Sequence, residues 1–199
     1  MQTSVTQLII PPLIEPLSLA EIKMHLRCDT EDTVEDEALI DIGIAAREHI
    51  EDITRRHLLT QTWDFKLHNW PYGNSIKLPG GNLQTVLYVK WKNTFGNETT
   101  LIESTDYLIE QNWGKCGRII TPTGKTWPSE ALYPVNPITI RFVSGWGTAK
   151  SVPYKIKAAC KMICADLYEM RGEPVLGQTV TINKTVQNLL ASSRLWDEF

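Results

Sequence analysis

Thr60-Gln61-Thr62-Trp63-Asp64-Phe65-Lys66-Leu67-His68 alternates along its length, with Trp63, Phe65 and Leu67 falling on one side. That two-residue period belongs to a strand with one buried face. Before Thr60 the apolar residues recur every three or four positions, so the chain changes its period here. Further strand candidates follow at Ser75–Leu78, Leu83–Lys92, Thr100–Ile102, Tyr107–Glu110, Gly117–Ile120 and Pro137–Val143. Turn-forming stretches separate them: Pro71-Tyr72-Gly73-Asn74, Pro79-Gly80-Gly81-Asn82, Phe95-Gly96-Asn97 and Gln111-Asn112-Trp113-Gly114. Short strands joined by tight turns leave no room for crossover helices. They predict an antiparallel sandwich or open barrel.

The flanks read as helix. Ser18-Leu19-Ala20-Glu21 is a capping box, and the helix it opens should run to about Arg27, burying Leu19, Ile22 and Leu26. A second helix is expected from Asp32-Thr33 to about Arg56, with Leu39, Ile42, Ala46, Ile50 and Ile53 on one stripe. Its acidic start (Glu31, Asp32, Glu35, Asp36, Glu37) and basic end (Arg55, Arg56, His57) complement the helix macrodipole. After the strands, Pro153 suits a first helical position. Ile156, Ala159, Cys160, Ile163, Leu167 and Met170 then line one face up to Arg171, where Gly172 and Pro174 end the helix. A short last helix is expected from about Asn183 to Ser192, before the tail Ser193–Phe199.

Composition narrows the function classes. The 199 residues fit one ordinary domain, and 20 Lys+Arg against 23 Asp+Glu leave a formal charge of −3. The basic residues are scattered, whereas binding to phosphates calls for a basic excess or stripe. No run approaches the roughly 18 apolar residues that span a bilayer. Residues 1–10 show no basic n-region or small-residue cleavage site, so no signal peptide is expected and the protein should stay in the cytoplasm of the cell that makes it.

Thr123-Gly124-Lys125-Thr126 carries the Gly-Lys-Thr of a phosphate-binding loop, but Ile119 stands where the loop's first glycine belongs, and Trp127-Pro128 stops a helix from starting at the lysine. A glycine turn explains it better. The histidines His25, His49, His57 and His68 form no metal-ligand spacing. Cys160 and Cys164, four apart, could share a metal with His25 or His49; two small apolar core residues are the preferred reading. No catalytic, cofactor or metal site is therefore expected. Seven tryptophans are many for this length, and six fall in the strand-rich part. They could stack on sugar rings, but anchors in a core or a subunit interface are the better explanation.

Taken in order, these pieces form a pattern. Pro16-Leu17-Ser18-Leu19-Ala20-Glu21-Ile22-Lys23 with His25-Leu26-Arg27, then Glu37-Ala38-Leu39-Ile40 and Ala45-Ala46-Arg47-Glu48-His49-Ile50-Glu51, resembles the opening of tailed-bacteriophage head–tail connector proteins, the adaptor or head-completion family. Leu59-Thr60-Gln61-Thr62-Trp63 is similar to the same family's entry into an inserted β region. Gly117-Arg118-Ile119-Ile120, Trp127-Pro128, Phe142-Val143-Ser144-Gly145-Trp146-Gly147, Val152-Pro153 and Leu167-Tyr168-Glu169-Met170-Arg171-Gly172 continue the resemblance in order and spacing.

The resemblance implies an α+β fold: a four-helix connector core with an antiparallel β-rich insertion between the second and third helices. Residues 1–59 would be the N-terminal helical part, 60–150 the inserted β region and 151–199 the C-terminal helical part with a portal-facing tail. It further implies a non-enzymatic virion protein, forming a homo-oligomeric ring (a dodecamer) beneath the portal protein and above a tail or stopper protein. Genomic DNA would pass through the lumen without specific binding, an acidic lining repelling phosphate. The site would be the head–tail junction, reached after assembly in the host cytoplasm. Portal docking would fall on Leu189, Leu190, Leu195, Trp196 and Phe199, although terminal apolar residues also commonly pack on their own core. The rival readings are a tail-completion or stopper protein, a carbohydrate-binding module using the β-region tryptophans, and an unrecognised hydrolase.

Overall fold

The computed structural model describes residues 4–170 and 184–196. It is an α+β protein whose sheets are antiparallel throughout. In chain order the elements are β1 (Ser4–Ile10), α1 (Leu19–Leu26), α2 (Asp36–Thr54), β2 (Gln61–Leu67), β3 (Ser75–Lys77), β4 (Leu83–Lys92), β5 (Glu98–Leu101), β6 (Leu108–Glu110), β7 (Arg118–Ile120), β8 (Ile138–Ser144), α3 (Tyr154–Glu169) and α4 (Lys184–Ala191). Two compact units result. One joins the chain up to Pro12 with Thr60–Gly145; the other joins Leu13–Leu59 with the described part of Trp146–Trp196.

The β unit holds a five-stranded sheet, β1-β2-β8-β4-β5, and a three-stranded sheet, β3-β7-β6. The alternation at Thr60–His68 does what the pattern demands. Phe65 and Leu67 go into the core and Trp63 packs against it, while Asp64 points to the other face and takes a two-pronged bond from Arg141 on β8 (2.7 and 2.9 Å). β8 lies between β2 and β4 and buries every second residue: Ile138, Ile140, Phe142 and Ser144. In β4 the strict alternation fails, because the register slips between Leu83 and Thr85 and again between Val86 and Tyr88. Each extra residue resets the faces, so Leu83, Val86, Val89 and Trp91 all reach the core. Ile76, Leu78, Tyr107, Ile119 and Trp127 complete the same core.

Ser4–Ile10 is a strand where the sequence offered no element. It pairs antiparallel with β2, from Ser4 opposite Leu67 to Ile10 opposite Thr62, with one irregularity between Leu8 and Ile10. The chain's first strand thus lies with residues 60–145 and not with the helices that follow it. Its signal was weak because it is an edge strand that buries almost nothing, so no apolar alternation marks it.

The helical unit is built as its patterns require. Ser18 Oγ accepts from the Glu21 amide at 3.2 Å, and Glu21 Oε2 accepts from the Ser18 amide at 2.9 Å, closing the capping box. Ile22, Leu39, Ala46, Ile50, Ile156, Ala159, Ile163, Val186 and Leu190 make the core, with Cys160 and Cys164 buried among them. The second helix starts at Asp36, later than its acidic run suggests. Asp32 Oδ1 accepts from the Val34 amide (2.9 Å), and Lys23, almost wholly buried, donates to the carbonyls of Thr30 and Asp32 and pairs with Asp36. A buried ammonium draws these acceptors into a loop, and the helix begins once they are used. The helix ends at Thr54 because Arg55 turns left-handed at φ 56°.

Candidate docking surface at the C-terminal turn

The expected docking residues lie at the end of the helical unit, and the structure divides them. α4 turns Val186 and Leu190 into the core, with Leu190 fully buried and Leu189 packed beside it. Leu190 is therefore a residue of the chain's own core, as its spacing of four from Val186 could have indicated. The helix then breaks into a turn in which the Ser193 amide donates to Leu190 O at 2.8 Å. Leu195 is half-buried, and Trp196 stands 70% exposed. Phe199 lies outside the described residues.

Two residues outside the terminal turn, Thr54 and Arg56, hold it in place. The Leu195 amide donates to Thr54 O at 2.9 Å, at the last residue of α2. Arg56, 7% exposed, donates through Nε to the carbonyl of Ser193, and its guanidinium lies 5.7 Å from the centre of the Trp146 ring. Arg194 in turn lies 5.2 Å from the centre of the Trp196 ring. Trp196, Arg194, Ala191, Asn188, Gln187 and Ile53 line an open groove of about 500 Å³. The arrangement is an exposed aromatic beside a cation, with amides along the groove. Sequence reasoning missed Ile53, Arg56 and Trp146 as its frame, since they lie far away in the chain.

Behind the turn is a buried ionic cluster. Arg47, 6% exposed, donates from Nε to Glu15 (2.9 Å), from Nη1 to Glu51 (2.8 Å) and from Nη2 to Glu48 (3.3 Å). Burial raises the Glu15 carboxyl above its ordinary range despite the guanidinium beside it. Glu51 also accepts from the Leu58 amide (2.7 Å), and Leu58 O accepts from the Trp146 amide (3.3 Å). Arg47 thus reaches Trp146, and through it Arg56 and the terminal turn, by consecutive contacts. His57, next in the chain, is held neutral by burial, its pKa lowered to about 3.

The chemistry-bearing motifs resolve differently. At Gly124 the chain turns with φ 80°, and Lys125 reaches Thr105 O and Asp106 (3.3 Å); no helix begins there, so no phosphate cradle forms. Cys160 and Cys164 are free thiols in the helical core, and hydrogen bonding between them raises Cys160 and lowers Cys164. His25 and His49 are exposed, and among the described residues no cluster suited to a metal ion occurs. Of the β-region tryptophans, Trp91 and Trp127 are buried, Trp70 stacks on Trp127 at 4.9 Å, and Trp63 packs on the core. Only Trp113 is broadly exposed among them, so no flat aromatic platform forms for a sugar. No described helix is long and apolar enough to cross a membrane.

The fold is one shared with chains of gene transfer agent particles. Its counterparts are chains in the neck of an empty gene transfer agent particle computed with C6 symmetry (TM-score 0.79, 23% identity), in the virion of the native particle (0.78, 22%) and in the native neck computed with C12 symmetry (0.74, 22%). The first two alignments cover 98% of this chain and the third 100%, and each covers 97% of the other chain. No family model and no curated protein matches the sequence.

Proposed function

We propose that this chain is a head–tail connector of the adaptor type, a structural subunit that forms a ring under the portal and joins the DNA-filled head to the tail. The observation that carries the reading is agreement in fold with chains of a particle neck over at least 97% of each chain. In this reading the helices form the connector core and β2 to β8 are its insertion, with β1 added to the inserted sheet. The C6 and C12 symmetries of the neck structures favour a closed ring, in which successive copies meet through two different surfaces.

The terminal turn is the portal-docking element, with Trp196 as its anchor, Leu195 beside it and Phe199 continuing the segment. The tail-side partner is a tail or stopper protein, and DNA passes through the lumen without specific contacts. Co-purification with portal rings tests the docking role. Trp196→Ala should weaken portal binding at least tenfold with an unchanged melting temperature, since its ring is largely exposed. Leu190→Ala should instead cost about 2–5 kcal/mol of stability, as a buried leucine does. Portal binding unaffected by Trp196→Ala would remove this element from the account.

A further inference from the structure

The five-stranded sheet has two open ends. At one, β1 reads Ser-Val-Thr-Gln-Leu-Ile-Ile, without a charge or a proline, and every residue is exposed except the half-buried Ile9. Val5, Leu8 and Ile10 are 47, 41 and 51% exposed, and no described group outside β2 bonds the strand's backbone. Folded proteins protect such edges with charge, proline or a covering segment, because an open apolar strand templates further pairing. Among the described residues, none of these devices protects Ser4 to Leu8. At the other end, β5 reads Glu-Thr-Thr-Leu. Its one carboxylate, Glu98, is already neutralised by Lys90 (2.8 Å) and Lys92 (3.9 Å), and its threonines are exposed. Pairing at β5 would bury no unmatched carboxylate.

We infer that β1 of one copy adds to the outer edge of β5 in the next, so that the sheets join from subunit to subunit. The inference rests on the ring proposed above. A ring of identical copies needs two different surfaces that fit each other, and one sheet with two unlike open edges supplies both. A second copy is the occupant because it is present in the number the ring requires. Main-chain bonds between strands supply the affinity, as in other strand additions. Four residues of β5 make each joint weak, and closure of the ring makes the set of joints stable.

The test is cysteine cross-linking in portal-bound assemblies, with single cysteines at residues 5–8 and 98–101 combined pairwise, for example Thr6→Cys with Thr100→Cys. Neighbouring Cβ atoms on paired strands lie within disulfide reach. The expected result is a ladder of linked copies, with a residue 5–8 peptide joined to a residue 98–101 peptide by mass spectrometry. A second variant, Val5→Lys with Leu8→Lys, should keep the monomer's melting temperature and lower the ring fraction at least tenfold. Rings that form on the portal without any such link would overturn the inference and leave the connector reading standing. A link from β1 to β1 alone, which denotes a two-fold pair, would overturn it as well. Copies that never assemble at the portal would remove the connector reading first, and this inference with it.

Discussion

Arg47 is where the helical unit is most sensitive to a single side chain. Its guanidinium answers Glu15, Glu48 and Glu51 while almost wholly buried. Arg47→Ala leaves carboxylates facing one another with no cation, and breaking a buried pair from one side costs about 3–5 kcal/mol. Because Glu15 keeps a quarter of its side-chain surface in water, a loss of about 3 kcal/mol is expected, measured as a shift in the urea midpoint at constant slope. His57 sets a pH dependence. It is neutral in the folded protein and takes up a proton near 6.5 once unfolded, so its contribution is complete above pH 6.5 and falls away as the pH drops towards 3. The slope is at most about 1.4 kcal/mol per pH unit. Carboxylates titrate in the same window, so the readout is the difference between wild type and His57→Gln. The variant should hold its stability better from pH 6 to pH 4; parallel curves would refute the assignment.

Elements show which parts of the fold the sequence expressed. The patterns at Thr60–His68 and at Ser18–Glu21 were legible because each is local: one is a two-residue period and the other a bond between residues three apart. β4 was found but its faces were not, since its two irregularities are set by β8. β1 left no trace because its partner lies far along the chain and it buries no face of its own. Which of the expected docking residues are buried was not legible in the sequence. Leu190 and Trp196 look alike as terminal apolar residues, and only the packing of α4 on α2 and α3 sends one inward and leaves the other in water. Some constraints are visible only at contact. An added Cβ at Gly117 would lie 2.4 Å from Leu83 Cβ, where β4 begins. Gly117→Ala should therefore destabilise the β unit by about 1–3 kcal/mol through overpacking. Hydrogen exchange should show the loss in β4 and β7 and leave α2 and α3 unchanged.

At the scale of the whole molecule, the features with no internal purpose are those that face outward. The uncharged strand at one sheet edge, the neutralised strand at the other and the tryptophan beside an arginine at the terminal turn stabilise the isolated chain little. Under the proposed function each would have a use, in contacts between copies or with a portal. Contacts run from Arg47 through Glu51, Leu58, Trp146 and Arg56 to Ser193, and if they order the terminal turn, docking there would lose less entropy. Native mass spectrometry of the purified chain mixed with its portal rings tests this account most directly. It predicts a discrete complex carrying one closed ring of copies, twelve on a twelvefold portal. A lone monomer at every concentration, with the portal peak unchanged, would contradict it.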